Sequence, residues 1–232
     1  MLTDWESRRS VTARVTGARL GDMKVPRDFE RALRGAGLGI AAWAGGRQTH
    51  GVRVGVVRRP TAPRERPNTD ALWTDRPGVA LRVFTADCAP IFLLDARGRR
   101  AALIHAGRRG IAAGILSRAV AVGRRRWGLR TKDLRAAVGP HIRACCYEVG
   151  EDVARDFVDT PGAVARVRAG RARLDLSRVL RHQARRLGLR DVAVAPWCTA
   201  CDRRFHSYRR EKTERRQAAI LCLTEERHDH RK

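Results

Sequence analysis

Three residues in this chain combine reactive side chains with positions where a strand is expected to begin or end. They are His50 in Gln48-Thr49-His50-Gly51, Cys88 in Thr85-Ala86-Asp87-Cys88, and His105 in His105-Ala106-Gly107. Two imidazoles and one thiolate form a three-ligand set for zinc, with a fourth position open to water or substrate, as catalytic zinc requires. The gaps between them are too long for a local zinc finger, so the fold would have to assemble them. Spacing alone favours a plainer alternative: two surface or hydrogen-bonded histidines and a buried thiol. The turn Ala106-Gly107-Arg108-Arg109-Gly110 adds a second chemistry. Its glycines let backbone N–H groups approach a ligand, a helix is expected to follow, and Arg108 and Arg109 bring positive charge, which together suit an anion. A tight strand-to-helix connection with solvated arginines would carry the same glycines.

The remaining cysteines are Cys145, Cys146, Cys198, Cys201 and Cys222. Cys198-Thr199-Ala200-Cys201 has the two-residue gap of a zinc knuckle or redox motif, but no second pair of that spacing accompanies it, so it is weak evidence. The adjacent Cys145 and Cys146 are expected to be small-residue packing, because vicinal thiols do not easily chelate one tetrahedral ion. Cys222, inside the apolar run from Ala218 to Leu223, reads as core. A disulfide framework is not expected in a chain of this size and setting.

These residues need elements to position them. The chain has 232 residues, 43% hydrophobic and 31% charged, enough for one substantial core and too apolar for a disordered polymer. No stretch approaches the roughly 20 apolar residues of a membrane span, and Met1 to Gly21 lacks a secretory apolar region, so a cytoplasmic location is expected. The net charge of +25 would ordinarily point to nucleic acid. However, lysine occurs only at Lys24, Lys132, Lys212 and Lys232, and the arginines are spread along the whole chain. That skew is better explained by GC-rich coding, and Arg124-Arg125-Arg126 suits the negative end of a helix.

Helices are expected over Asp28 to Ala36, Ile111 to Trp127, Glu151 to Phe157 and Ser177 to Leu187, with Gly37 and Gly188 as stops. Strands are expected over Thr49 to Val57, Val79 to Phe84, Ile91 to Leu94, Ala101 to His105, Leu134 to Val138, Asp191 to Ala195 and Gln217 to Thr224. Arg58 to Asn68 reads as a loop, and Glu225 to Lys232 as a solvated tail. The irregular alternation predicts a single mixed α/β (α+β) domain, a layered β/α sandwich rather than a parallel barrel.

With these elements in view, the chain resembles the YfiH-like family, historically called polyphenol oxidase or laccase-domain proteins. Gln48-Thr49-His50-Gly51 with Val54 resembles its Q-x-H-G-x-x-V element. Asp70-Ala71-Leu72-Trp73-Thr74, Pro77-Gly78 and Thr85-Ala86-Asp87-Cys88-Ala89-Pro90-Ile91 resemble D-A-L-x-T, P-G and T-A-D-C-x-P-I. His105 to Gly110 resembles H-A-G-W-R-G; Gly139-Pro140 and Tyr147-Glu148-Val149-Gly150 resemble G-P-x-I and Y-E-V-G; Phe205 to Arg210 resembles F-x-S-x-R-R. The resemblance runs from about Gln48 to Leu223. There are three departures. Arg108 stands where the family has Trp, Glu214 replaces the Gly of T-G-R-Q, and Ser10-Val11-Thr12 lacks the glycines of an N-terminal element whose arginine would correspond to Arg8 or Arg9.

The resemblance implies the layered α/β fold, with His50, Cys88 and His105 as zinc ligands and catalytic centre. It implies phosphorolysis of adenosine, inosine, guanosine or methylthioadenosine, with purine nucleoside and phosphate as partners and adenosine deamination as a further activity. On this reading Asp87 moves a proton or orients His105, and Gln48, Gly107, Arg109 and Arg209 contact substrate or phosphate. Arg210 is an alternative to Arg209, and salt bridges to Glu211 or Glu214 are the plainer role for either. Copper is not expected: a multi-copper oxidase wants a histidine-rich set, which seven scattered histidines do not supply. Two rival functions remain. One is a hydrolase with Cys88 as nucleophile and His105 as base, editing cell-wall precursors; the other is a non-enzymatic basic protein that binds nucleic acid.

Overall fold

The computed structural model describes residues 11–38, 42–58 and 64–224; the charged tail and the Arg8/Arg9 pair lie outside them. Two large sheets form the centre. One contains β1 (Val11–Val15), β2 (Trp43–Gly46), β4 (Arg64–Arg66), β6 (Ala80–Thr85) and β14 (Gln217–Leu223), in the order β1-β14-β6-β2-β4. The other contains β3 (Val54–Val57), β5 (Ala71–Thr74), β7 (Ala89–Asp95), β8 (Ala101–Ala106), β9 (Leu134–Val138) and β13 (Asp191–Val194), in the order β13-β9-β7-β8-β5-β3. A small third sheet joins β10 (Glu148–Gly150), β12 (Arg171–Leu174) and β11 (Val164–Arg168).

The inner strands are apolar on both faces, as strands covered on both sides must be. Leu72, Phe92, Leu94 and Leu103 meet Leu81, Val83 and Leu221 of the first sheet between the two layers. Trp73, Ile91, Leu93 and Ile104 point the other way, into a cluster shared with α3 (Ile115–Trp127) and α5 (Leu176–Arg186). Helix α1 (Pro26–Gly35) covers the outer face of the first sheet through Phe29, Ala32 and Leu33. The chain is therefore a single-domain layered α/β sandwich.

Several boundaries differ from expectation for identifiable reasons. The strand expected from Thr49 begins only at Val54, because residues 49–51 wrap around a carboxylate; Val52, Val54 and Val56 still face one cluster. The helix expected over Ile111 to Trp127 is broken, with the short α2 (Arg108–Ala112) ending before Gly114, whose φ of +82° starts α3. Helix α4 (Glu151–Ala154) likewise passes into a single 3-10 turn at Arg155–Phe157. Part of the expected loop is strand β4, paired parallel with β2. The β11–β12 hairpin is not evident from sequence, because its alternating arginines mask the strand pattern.

Candidate active site

Strand register assembles the three reactive residues. In the antiparallel pair β5·β8, Ala71 lies opposite Ile104, so one step further Asp70 reaches His105. His105 N–H donates to the Asp70 carbonyl at 2.7 Å, and Asp70 Oδ1 lies 2.9 Å from His105 Nδ1. In the pair β7·β8, Ala89 lies opposite Ala106, which brings Cys88 level with Gly107 beside His105. His50 arrives from the other side in the left-handed region, at φ 61°. The Asp70 carboxylate secures that turn by accepting the N–H groups of Thr49 at 3.1 Å, His50 at 2.9 Å and Gly51 at 3.0 Å. One buried carboxylate thus orients both histidines.

The outcome is a compact donor set. The ligand atoms of His50, Cys88 and His105 lie within 4.8 Å of one another, and the two imidazoles meet edge to face with centroids 4.8 Å apart. Gly107 makes this approach possible: a Cβ there would stand 2.5 Å from His50 Cδ2 and 3.2 Å from Cys88 Sγ. Burial opposes a thiolate at Cys88, yet His105 and His50 outweigh it and bring the pKa down to about 6. Burial equally opposes charge on His105, but the Cys88 sulfur and Asp70 raise its pKa to about 9. Asp70, despite burial, is held near 2 by His105 and by the backbone N–H groups of Thr49 and Gly51. Anionic sulfur beside imidazoles, with the outer nitrogen of His105 already occupied, is donor chemistry suited to a divalent cation.

The set opens onto a cavity of about 1270 Å³. Tyr147, Arg108 and Arg209 line it together with Cys88, as do Trp43, Phe84 and Arg82. The Arg209 guanidinium lies over the Tyr147 ring at 5.2 Å and donates to the Glu148 carbonyl at 2.8 Å. Burial raises the Tyr147 pKa, while nearby Arg108 and Arg209 pull it back.

The residues expected around the ligands are not all where they were expected. Asp87, in the left-handed region at φ 87°, does not orient His105. Its carboxylate accepts Thr199 Oγ1–H at 2.6 Å and Arg209 N–H at 2.7 Å, and Asp70 takes the orienting role. Gln48 borders the cavity, but its side chain is engaged by Phe84, donating to the carbonyl at 2.8 Å and accepting the N–H at 2.7 Å. Arg109 is exposed, reaching the Thr49 carbonyl at 3.4 Å, and Arg108 is the member of that pair that lines the cavity. Gly107 packs against His50 and Cys88, and the helix after it is one short turn, too brief for a helix-dipole anion site. Arg210 serves structure, donating to the carbonyls of Thr199, Ala200 and Phe205 and pairing with Glu211. Asp70 is not among the site residues expected from the sequence, although the D-A-L-W-T motif that contains it is a visible signal. Cys145 and Cys146 are not simple packing either: their sulfurs lie 3.5 and 3.2 Å from Cys201 Sγ.

The chain is similar to known proteins over most of its length. Residues 15–224 match the family described as multi-copper polyphenol oxidoreductase laccase. The purine nucleoside phosphorylase SCO2081 of Streptomyces coelicolor is 36% identical over 212 residues, covering 89% of this chain and 86% of that protein. The purine nucleoside phosphorylase Rv2149c of Mycobacterium tuberculosis is 35% identical over 213 residues, covering 89% and 83%. Among solved structures, YfiH of Bacillus licheniformis superposes with a TM-score of 0.84 at 26% identity, over 95% of this chain and 94% of that one. YlmD of Geobacillus stearothermophilus gives the same TM-score and identity over 94% and 93%. Among the described residues no helix is long and apolar enough to cross a membrane. From residue 15 to residue 224, this chain belongs to the YfiH-like, laccase-domain family.

Proposed function

We propose that this protein is a zinc-dependent purine nucleoside phosphorylase. The observation that carries the reading is the His50, Cys88 and His105 set at the base of a basic, aromatic-walled cavity, in a chain about one-third identical to proteins named for that activity. Zinc, when bound, supplies a Lewis-acid centre with one open position. The donor set favours zinc over multi-copper chemistry. His50 is open to the cavity, the only described methionine, Met23, is buried in a separate cluster, and the buried His141 is committed to the Gly139 carbonyl and Ser177.

In the reaction a phosphate oxygen bonds to the anomeric carbon as the bond from that carbon to the purine nitrogen breaks. The purine leaves with the bonding pair and gains a proton. Arg108 and Arg209, rather than Arg109, face the region where phosphate charge would be neutralised. Asp87 contributes by position, since its carboxylate fixes the backbone of Arg209 and the Thr199 loop, and this is a better account of it than proton transfer. Asp70 keeps His105 in one tautomer with its other nitrogen directed at the centre.

A second reading rests on one specific arrangement: Asp70, His105 and Cys88 are ordered as orienter, base and nucleophile, which suits a hydrolase acting on amide or ester bonds. His50, which also contacts the thiol, has no task in that scheme. The deciding experiment incubates zinc-loaded protein with adenosine, inosine, guanosine or methylthioadenosine and phosphate, followed by chromatography. Free purine with the ribose 1-phosphate is expected, and inosine formed from adenosine would add deamination. No turnover of any of the four would overturn the proposal. Cys88→Ser should lose zinc under the first reading and keep its metal content under the second.

A further inference from the structure

A second group of metal-binding side chains lies outside the catalytic centre. Strands β9 and β13 are parallel neighbours, so the turns leaving their C-terminal ends lie side by side. The first turn carries Cys145 and Cys146; the second carries Cys198 and Cys201. The two are joined by a bridge between His141 and Cys198, with Thr199 N–H donating to the His141 carbonyl at 3.1 Å. The N–H groups of Cys146 and Tyr147 both donate to the Arg143 carbonyl at 2.9 Å, which curls the chain so that adjacent thiols reach the same point.

All four sulfurs lie within 4.8 Å of one another, with Cys201 Sγ 3.2 Å from Cys146 Sγ and 3.5 Å from Cys145 Sγ. A zinc–sulfur bond of about 2.3 Å requires tetrahedral sulfur–sulfur edges of about 3.8 Å, which these separations bracket. Arg143 N–H donates to Cys198 Sγ at 3.4 Å, the kind of amide-to-sulfur bond that supports a thiolate. Cationic groups surround the cluster: the Arg173 guanidinium donates to the Cys145 carbonyl at 2.7 Å, and that of Arg210 to the carbonyls of Thr199 and Ala200 at 2.7 and 3.0 Å. They would balance the net negative charge of a zinc ion with four thiolates.

We propose that Cys145, Cys146, Cys198 and Cys201 bind one structural zinc ion, separate from the catalytic centre. Four sulfur donors in tetrahedral reach select zinc over the oxygen-seeking cations, and the closed set leaves no position for substrate. Binding releases the thiol protons to solvent and forms four zinc–sulfur bonds, with no oxidation. The ion ties the two turns together. One supplies Thr199 to Asp87 and the other leads into Tyr147, so the site braces the cavity wall.

The test is zinc content by elemental mass spectrometry of the full chain purified under reducing conditions, compared with Cys145→Ser/Cys201→Ser. A loss of one equivalent per chain in the double variant is expected, whatever the catalytic centre contains. Cys201→His should retain that equivalent, since three sulfurs and an imidazole also satisfy zinc. Unchanged zinc in the double variant would overturn the proposal. Should the serine variants fail to fold, cobalt substitution of the full chain decides. Sulfur-to-cobalt absorption with the intensity of at least four thiolates, five when Cys88 also binds cobalt, supports the site, and the intensity of a single thiolate overturns it.

Discussion

Asp70 and His105 are joined twice, by the His105 N–H to the Asp70 carbonyl at 2.7 Å and by the Asp70 carboxylate to His105 Nδ1 at 2.9 Å. Because the same carboxylate caps the turn carrying His50, it couples the positions of two of the three donor residues. An Asp70→Asn substitution should therefore act on metal binding. Zinc affinity, measured by competition with a chromophoric chelator, is expected to fall about 10- to 100-fold, with the fold retained by circular dichroism.

Gly107→Ala probes the same centre from the other side. The added Cβ would collide with His50 Cδ2 and crowd Cys88 Sγ, while Gly107 itself has an ordinary extended φ of −75°. Zinc affinity should fall by at least about tenfold through displacement of His50. Thermal unfolding in excess chelator, where the donor geometry no longer matters, should change much less.

Arg108 and Arg109 separate by role. Arg108→Ala should raise the KM for phosphate about tenfold or more, the loss expected when one charge-assisted hydrogen bond is removed. Arg109→Ala should have the smaller effect, because its side chain lies outside the cavity lining. Steady-state kinetics with phosphate as the varied substrate checks both.

His141 makes stability fall on acidification. Burial is the main reason its pKa drops to about 4, from an ordinary value of 6.5; the Gly139 carbonyl opposes the shift and Arg143 adds to it. Between those values the unfolded chain binds a proton that the folded chain does not, so stability is lost as pH falls from 6.5 towards 4. The full effect is on the order of 3 kcal/mol. Denaturant unfolding of the protein and of His141→Gln at pH 7 and pH 4.5 should show the variant losing less stability over that interval.

Trp73 links the fold to the site, three residues along the chain from Asp70. It is fully buried, its Nε1–H donates to the Ala119 carbonyl at 2.8 Å, and its ring packs so closely that a Cβ on Gly123 would lie 2.9 Å from it. Trp73→Ala should cost about 3–5 kcal/mol by denaturant unfolding, from the cavity and the unpaired carbonyl.

The amino-acid sequence by itself determined much of this protein. The boundaries of β6, β8, β9, β13 and β14 followed from local apolar runs, and His50, Cys88 and His105 were legible because each stands in a distinctive polar break at a strand end. Side-chain partnership was not legible, because it depends on register between strands distant in the chain. The pairing of Ala71 with Ile104 decides that Asp70, not the nearer Asp87, orients His105. The same holds for the thiols. Cys198 and Cys201 show a ligand spacing, but the parallel pairing of β9 with β13 is what brings them to Cys145 and Cys146. Helix phase after Gly107 likewise decided that Arg108, not Arg109, borders the cavity. Residue type and local pattern are properties of the chain, whereas distances of a few ångströms between remote side chains exist only once the sheets have paired.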